Sequence, residues 1–194
     1  MDNYGLKLLK RLKIERKEML RRYNNLECYD KSIVGYYYNC KRTDYLISAL
    51  RNDLKAKGKV AQNCNIREEE FNKKIDGLIF LDFDMMYDDV LYNRARVDFQ
   101  EDSIICRGHK RFGTRKKNTD KLQLTVEDIK LNLKRLKINE WKDMYFGKRC
   151  FNGWWKLKMV FYNGKPIDCS GVNSFPLYMV GLLELFGFDV KDIL

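Results

Sequence analysis

The apolar side chains of this chain change their spacing part-way along it, and that change limits what it can fold into. Up to about residue 74 they recur every three or four positions, the repeat of one helix face. Leu9, Leu12, Met19, Tyr23 and Leu26 make one stripe over residues 5–27, and the other faces carry Lys7, Lys10, Arg11, Lys13, Arg16, Lys17, Arg21 and Arg22. Ile33, Tyr37, Cys40, Ile47, Leu50 and Leu54 make a second stripe over residues 32–57, with Gly58 as a natural stop. The short connection around Cys28 to Lys31 predicts an antiparallel helical hairpin. A third short helix is expected from Asn65, with Glu68 as its capping partner, to about Lys74 before Gly77.

Beyond Gly77 the helical repeat breaks down. Residues 78–87 are apolar with interspersed acids and fit either a strand or a helix. Residues 95–112 read as two strands meeting near Gln100-Glu101-Asp102. Thr125 caps a helix that carries Ile129, Leu133 and Leu136 on one face. Trp154 to Tyr162 is a strongly apolar strand, and Asn163-Gly164 is suited to a type I′ hairpin turn, with a return strand to Ser170-Gly171. Phe175 to Phe186 is a final apolar helix with Pro176 in its first turn and Gly187 as its stop. The predicted class is α+β: a helical hairpin, then an antiparallel sheet in the order β-β-α-β-β-α. The expected division is a helical region over 1–75 and an α+β domain over 76–194.

Apolar residues form 45% of the 194, enough to build a packed core, and the only prolines are Pro166 and Pro176. No stretch has the length and apolarity of a membrane span, and the charged N-terminal residues do not read as a secretory signal, so the expected location is the cytoplasm, without a membrane partner. The six cysteines, Cys28, Cys40, Cys64, Cys106, Cys150 and Cys169, lack CxxC spacing. They are expected to be reduced thiols packed as small apolar groups. Lys plus Arg is 38 against 27 for Asp plus Glu, a formal net charge of +11. Such an excess points to an anionic partner, with nucleic acid first among them.

From Thr125 to Pro176 the chain carries Trp141 and Tyr145, Gly153, Trp155-x-Leu157, Tyr162-x-Gly164 and Ser170-Gly171-x-Asn173-x-x-Pro176. This pattern resembles a small aromatic- and glycine-rich module of uncharacterised proteins from bacteria, their phages and mobile elements. In size, charge and module the chain is also similar to anti-defence proteins, including anti-CRISPR inhibitors of RNA-guided nucleases. That resemblance implies an RNA-guided nuclease as partner, inhibition as outcome, and a bacterial host cell as setting.

The densest basic segment is Arg107-Gly108-His109-Lys110-Arg111-Phe112-Gly113-Thr114-Arg115-Lys116-Lys117. Arg107, Lys110, Arg111, Arg115, Lys116 and Lys117 offer donors to phosphate oxygens, and Phe112 offers a ring to an unpaired base. The plainer alternative is a solvated hairpin end. His109, the one histidine, and Lys110 could act as an acid–base pair, the neighbouring cations favouring a neutral imidazole. Asp82 and Asp84 would share one strand face and could hold Mg²⁺ for phosphoryl chemistry, or they could simply balance Arg94 and Arg96. The expected function is therefore binding of nucleic acid or a ribonucleoprotein, with RNA favoured and DNA or an anionic protein surface left open, and with no required cofactor though Mg²⁺ is possible. The alternative is a small ribonuclease working through the Asp82/Asp84 metal pair or through His109 and Lys110. The Tyr36-Tyr37-Tyr38 run should leave at least one tyrosine outside the core, and the hairpin offers a surface for self-association.

Overall fold

The computed structural model describes residues 3–25, 32–58, 66–87, 91–110, 117–118, 124–147 and 152–188. Helices α1 (Asn3–Asn24) and α2 (Ser32–Ala56) follow the two apolar stripes. Leu9, Ile47 and Leu54, flanked by Leu12 and Leu50, form a separate seam at one end of this pair. At the other end Tyr23, Tyr37 and Cys40 join the main core, which they share with the sheet. Tyr37 is buried and its neighbour Tyr38 is exposed, as expected of consecutive helical positions. Helix α3 (Ile66–Asp76) adds Phe71 and Ile75 to the same core. The expected cap at Asn65 and the stripe member Leu26 lie outside the described residues.

Leu78–Tyr87, which the sequence left open between strand and helix, is strand β1. Its alternation decides the matter: Leu81, Phe83 and Met85 are fully buried, while Asp82 and Asp84 between them are half-buried on the other face. β2 (Leu91–Asp98) and β3 (Ser103–Lys110) follow, joined across residues 99–102. Asp98 closes that turn by accepting from the amides of Gln100 and Glu101, and Asp102 takes a positive φ of 54°. β4 (Lys117–Asn118), α4 (Val126–Arg135), β5 (Met144–Phe146), β6 (Gly153–Phe161), β7 (Ile167–Val172) and α5 (Met179–Leu185) complete the order. Thr125 caps α4 with the expected side-chain bond to the Asp128 amide, and Asp128 bonds back to the Thr125 amide.

The strands lie in the order β4-β3-β2-β1-β6-β7-β5. The class is α+β with the helices first, and the strand pattern is richer than the four expected strands. β1 is the centre of the sheet, and β4 and β5 are two- and three-residue edge strands. β5 pairs with β7 in parallel, so the sheet is mixed rather than antiparallel. Segments as short as β4 and β5 show no alternation a sequence reading could use, and only their neighbours define them.

Two local expectations are corrected. β6 and β7 do form a hairpin, but residues 162–166 make a five-residue connection in which Gly164 has φ of 93° and Asn163 does not share it. The type I′ geometry is absent, because the amide of Tyr162 is drawn instead to the carbonyl of Gly77 at 2.8 Å. Helix α5 begins at Met179, three residues later than the first-turn role for Pro176 requires; the Pro176 carbonyl accepts from the Met179 amide. Its end matches expectation. Gly187 has φ of 67°, with the Gly187 amide bonded to Glu184 and the Phe188 amide to Leu183.

The aromatic module is built around Trp155. Its buried indole donates to the Ser174 carbonyl at 2.7 Å, and Trp141 and Tyr145 pack on it with ring centroids 6.0 and 5.8 Å away. Asn173, at a φ of 54°, closes the strand end by accepting from the Gly153 amide and donating its own amide to the Gly153 carbonyl. Gly171 has an ordinary backbone angle. It is required for space, since a Cβ there would lie 2.3 Å from Trp155 Nε1 and 2.4 Å from the Ser174 carbonyl. Cys40, Cys106 and Cys169 are buried, as expected of packed thiols, and burial pushes Cys40 and Cys169 up to about 11.

Gly171→Ala is expected to destabilise the fold by about 1–3 kcal/mol or more, because neither the indole nor the carbonyl can give way. Gly35→Ala, in helix α2 with nothing within 4 Å, is expected to be neutral or to stabilise by up to about 1 kcal/mol. Urea denaturation of the two variants distinguishes these outcomes.

Candidate nucleic-acid interface

Every strand in the middle of the sheet has one face turned to the core and one left open. Leu81, Phe83 and Met85 on β1, Ala95 and Val97 on β2, and Trp155, Leu157 and Met159 on β6 join the helices in one buried cluster. On the opposite face none of the described side chains of these strands is buried. The register arranges them in rows across the sheet. One row runs Arg107, Arg94, Asp84, Lys156, Ser170 and Met144. The next runs Ile105, Arg96, Asp82, Lys158 and Asp168. On the other side of the first row lie Tyr92, Met86, Trp154, Val172 and Phe146.

The two charged rows hold five cations, Arg94, Arg96, Arg107, Lys156 and Lys158, against Asp82, Asp84 and Asp168. The carboxylates position the arginines. Asp82 accepts from Arg96 Nε at 3.1 Å, and Arg94 Nε stands 3.3 Å from Asp84 and 3.7 Å from Asp82. Asp84 also accepts from the Tyr92 hydroxyl at 2.5 Å. Burial, and then that hydrogen bond, raise the Tyr92 hydroxyl above its ordinary range. The hydrogen bond to Asp82 and the charge behind it raise Arg96 likewise. Arg96 is bound through Nε, so this bond leaves both terminal nitrogens of its fork for another acceptor.

The sequence-predicted residues are distributed around this face. Asp82 and Asp84 do share one side of a strand, as the strand reading required. The residues around them favour the charge-balancing alternative over a metal pair: arginines and a tyrosine hydroxyl meet Oδ1 of each carboxylate, and Lys156 and Lys158 stand opposite on β6. A divalent cation here would meet four neighbouring positive charges. Among the described residues no group of three or more His, Cys, Asp or Glu is placed to hold a metal ion.

Arg107 is exposed on β3 opposite Arg94. His109 and Lys110 end the same strand, opposite Tyr92 and Leu91, and Lys117 pairs with Gly108 in β4. The basic segment thus connects β3 to the edge strand, where the first charged row ends. Arg111, Phe112, Arg115 and Lys116 lie outside the described residues, as do the side chains of His109, Lys110 and Lys117.

Lys156, Lys158, Trp154 and Phe146 were not identified from the sequence. A signal for three of them was present: Trp154-x-Lys156-x-Lys158 alternates with the core-facing Trp155-x-Leu157-x-Met159. The alternation does not say which strands stand alongside. No known protein family, curated protein or solved structure matches the chain.

Addition of Mg²⁺ is expected to leave the thermal unfolding midpoint where it stands in chelator. A saturable rise with Mg²⁺ would show that the ion displaces Arg94 and Arg96 from Asp82 and Asp84.

Proposed function

We propose that the protein binds RNA, alone or within a ribonucleoprotein, across the open face of its sheet. One observation carries this reading: five cations from three strands, β3, β2 and β6, stand on one face of the sheet on which no described side chain is buried. The Arg96 fork, bonded to Asp82 through Nε, keeps its terminal nitrogens for phosphate oxygens, and a net charge of +11 favours an anionic partner through counterion release. The resemblance to anti-CRISPR proteins extends the reading to an RNA-guided nuclease as target, inhibited in the cytoplasm of a bacterial host cell. Binding of this kind needs no cofactor. A ribonuclease reading through Asp82 and Asp84 would require Mg²⁺ to compete with the ion pairs already made there. Through His109 and Lys110 it would be independent of metal.

A gel assay with labelled structured RNA, free and loaded in an RNA-guided nuclease, tests the proposal in Mg²⁺ and in chelator. The expected result is intact RNA with a salt-sensitive shift. The Arg107→Ala/Lys156→Ala/Lys158→Ala variant should lower the slope of log affinity against log salt by about 2 on single-stranded RNA. Unchanged binding by this variant, with a loss in Arg107→Ala/Lys110→Ala/Arg111→Ala, would move the site to the basic segment. Discrete fragments would make the protein a nuclease, and absence of any shift would remove RNA as its partner.

A further inference from the structure

The apolar end of the open face lies beside its charged rows. Trp154 is 42% exposed, Val172 46%, Met144 55% and Phe146 72%. Trp154 pairs across the sheet with Val172, and Val172 with Phe146, so the two rings project from strands two places apart, about 10 Å. Met144 lies two residues along β5 from Phe146, and Lys156 two residues along β6 from Trp154, a step of about 6.6 Å. Stability does not explain this cluster. Trp155, the adjacent tryptophan, already fills the core and satisfies its indole N–H, whereas Trp154 is turned outward. Exposed apolar groups gathered in one patch mark a contact surface.

We infer that this patch stacks unpaired bases, with Trp154 and Phe146 as the platforms, so that the face selects single-stranded over duplex nucleic acid. This rests on the nucleic-acid reading above and adds to it the class of strand. Charge complementarity chooses the occupant. A single strand laid across the sheet sets its phosphates against Arg94, Arg107 and Lys156, and its bases one row away, against the rings. In a duplex the faces of the bases are already stacked on one another, so the rings gain nothing from them and only the cations contribute. Stacking on aromatic side chains tolerates any base, so the selectivity is for strand state rather than sequence.

Fluorescence anisotropy on the full chain tests this with three labelled probes: an oligouridylate and an oligothymidylate of about twelve nucleotides, and a duplex of equal length. Trp154→Ala/Phe146→Ala is expected to weaken both single-stranded probes by about fivefold or more and leave the duplex unchanged. A loss confined to one of the two probes would restrict the site to RNA or to DNA. Intrinsic fluorescence of the wild type should be quenched by the oligouridylate, and Trp154→Phe, which keeps a ring and the fold, should lose most of the quench while keeping affinity. Unaltered single-strand affinity in the double variant, or an equal loss on the duplex, overturns the stacking role and leaves the charged rows as the nucleic-acid site. A wild type that binds none of the probes overturns both readings and turns the patch over to a protein partner.

Discussion

The burial of Leu81, Phe83 and Met85 under the helices is the contact on which the other features are built. A strand alternates sides, so fixing those three side chains inward fixes Asp82 and Asp84 outward. β1 is paired on both edges, by β2 and β6, and the same parity passes to them through the register. Core packing on one face therefore dictates the charge pattern on the other. A slip of one residue would bury two carboxylates and expose three core side chains, which makes the register highly specified.

The N-terminal helices are fastened to this layer by polar contacts as well as apolar ones. Tyr23 donates its hydroxyl to the Phe175 carbonyl at 2.7 Å. Arg16 donates to Asp44 at 2.6 Å and to Glu140 at 2.8 Å, and the Tyr178 hydroxyl donates to the other oxygen of Asp44. Burial and the Asp44 charge raise Tyr178 well above the ordinary tyrosine range. Desolvation opposes the charge on Arg16, and Asp44, Tyr178 and Glu140 together more than offset it, so its guanidinium stays ionised. These contacts join α1, α2, the residues after α4 and the start of α5. Close approach tightens the same junction: a Cβ at Gly181 would stand 2.4 Å from the Tyr37 hydroxyl.

Structure and surface divide cleanly between the two adjacent tryptophans of β6. Trp155 is the centre around which Trp141, Tyr145 and Gly171 are arranged, so these residues of the aromatic and glycine pattern have a packing cause, while Asn173 and Gly153 are joined by hydrogen bonds at the strand end. Trp154 takes no part in that arrangement and stands on the open face. A motif that describes the fold thus says little about what the opposite side of the same strand contacts.

Local chemistry was legible in the sequence wherever an element is decided by its own residues. The stripes of α1 and α2, the Thr125 cap, the turn near Gln100-Glu101-Asp102 and the glycine stops at Gly58 and Gly187 appear as read. The candidate site was only half legible. Arg107, Asp82 and Asp84 could be named, but their grouping with Lys156 and Lys158 depends on β6 pairing with β1 across more than sixty residues of chain. The edge strands β4 and β5, the parallel pairing of β5 with β7 and the widening of the Asn163-Gly164 turn were not legible. Each is set by the strand or segment it pairs with rather than by its own pattern. By itself the sequence determined the basic charge, the helical hairpin and the alternation of individual strands, because these follow from side chains a few positions apart. Tertiary structure alone decided which strands are neighbours, and with that which cations and rings share a face, because hydrogen bonding between strands joins residues that no local periodicity connects.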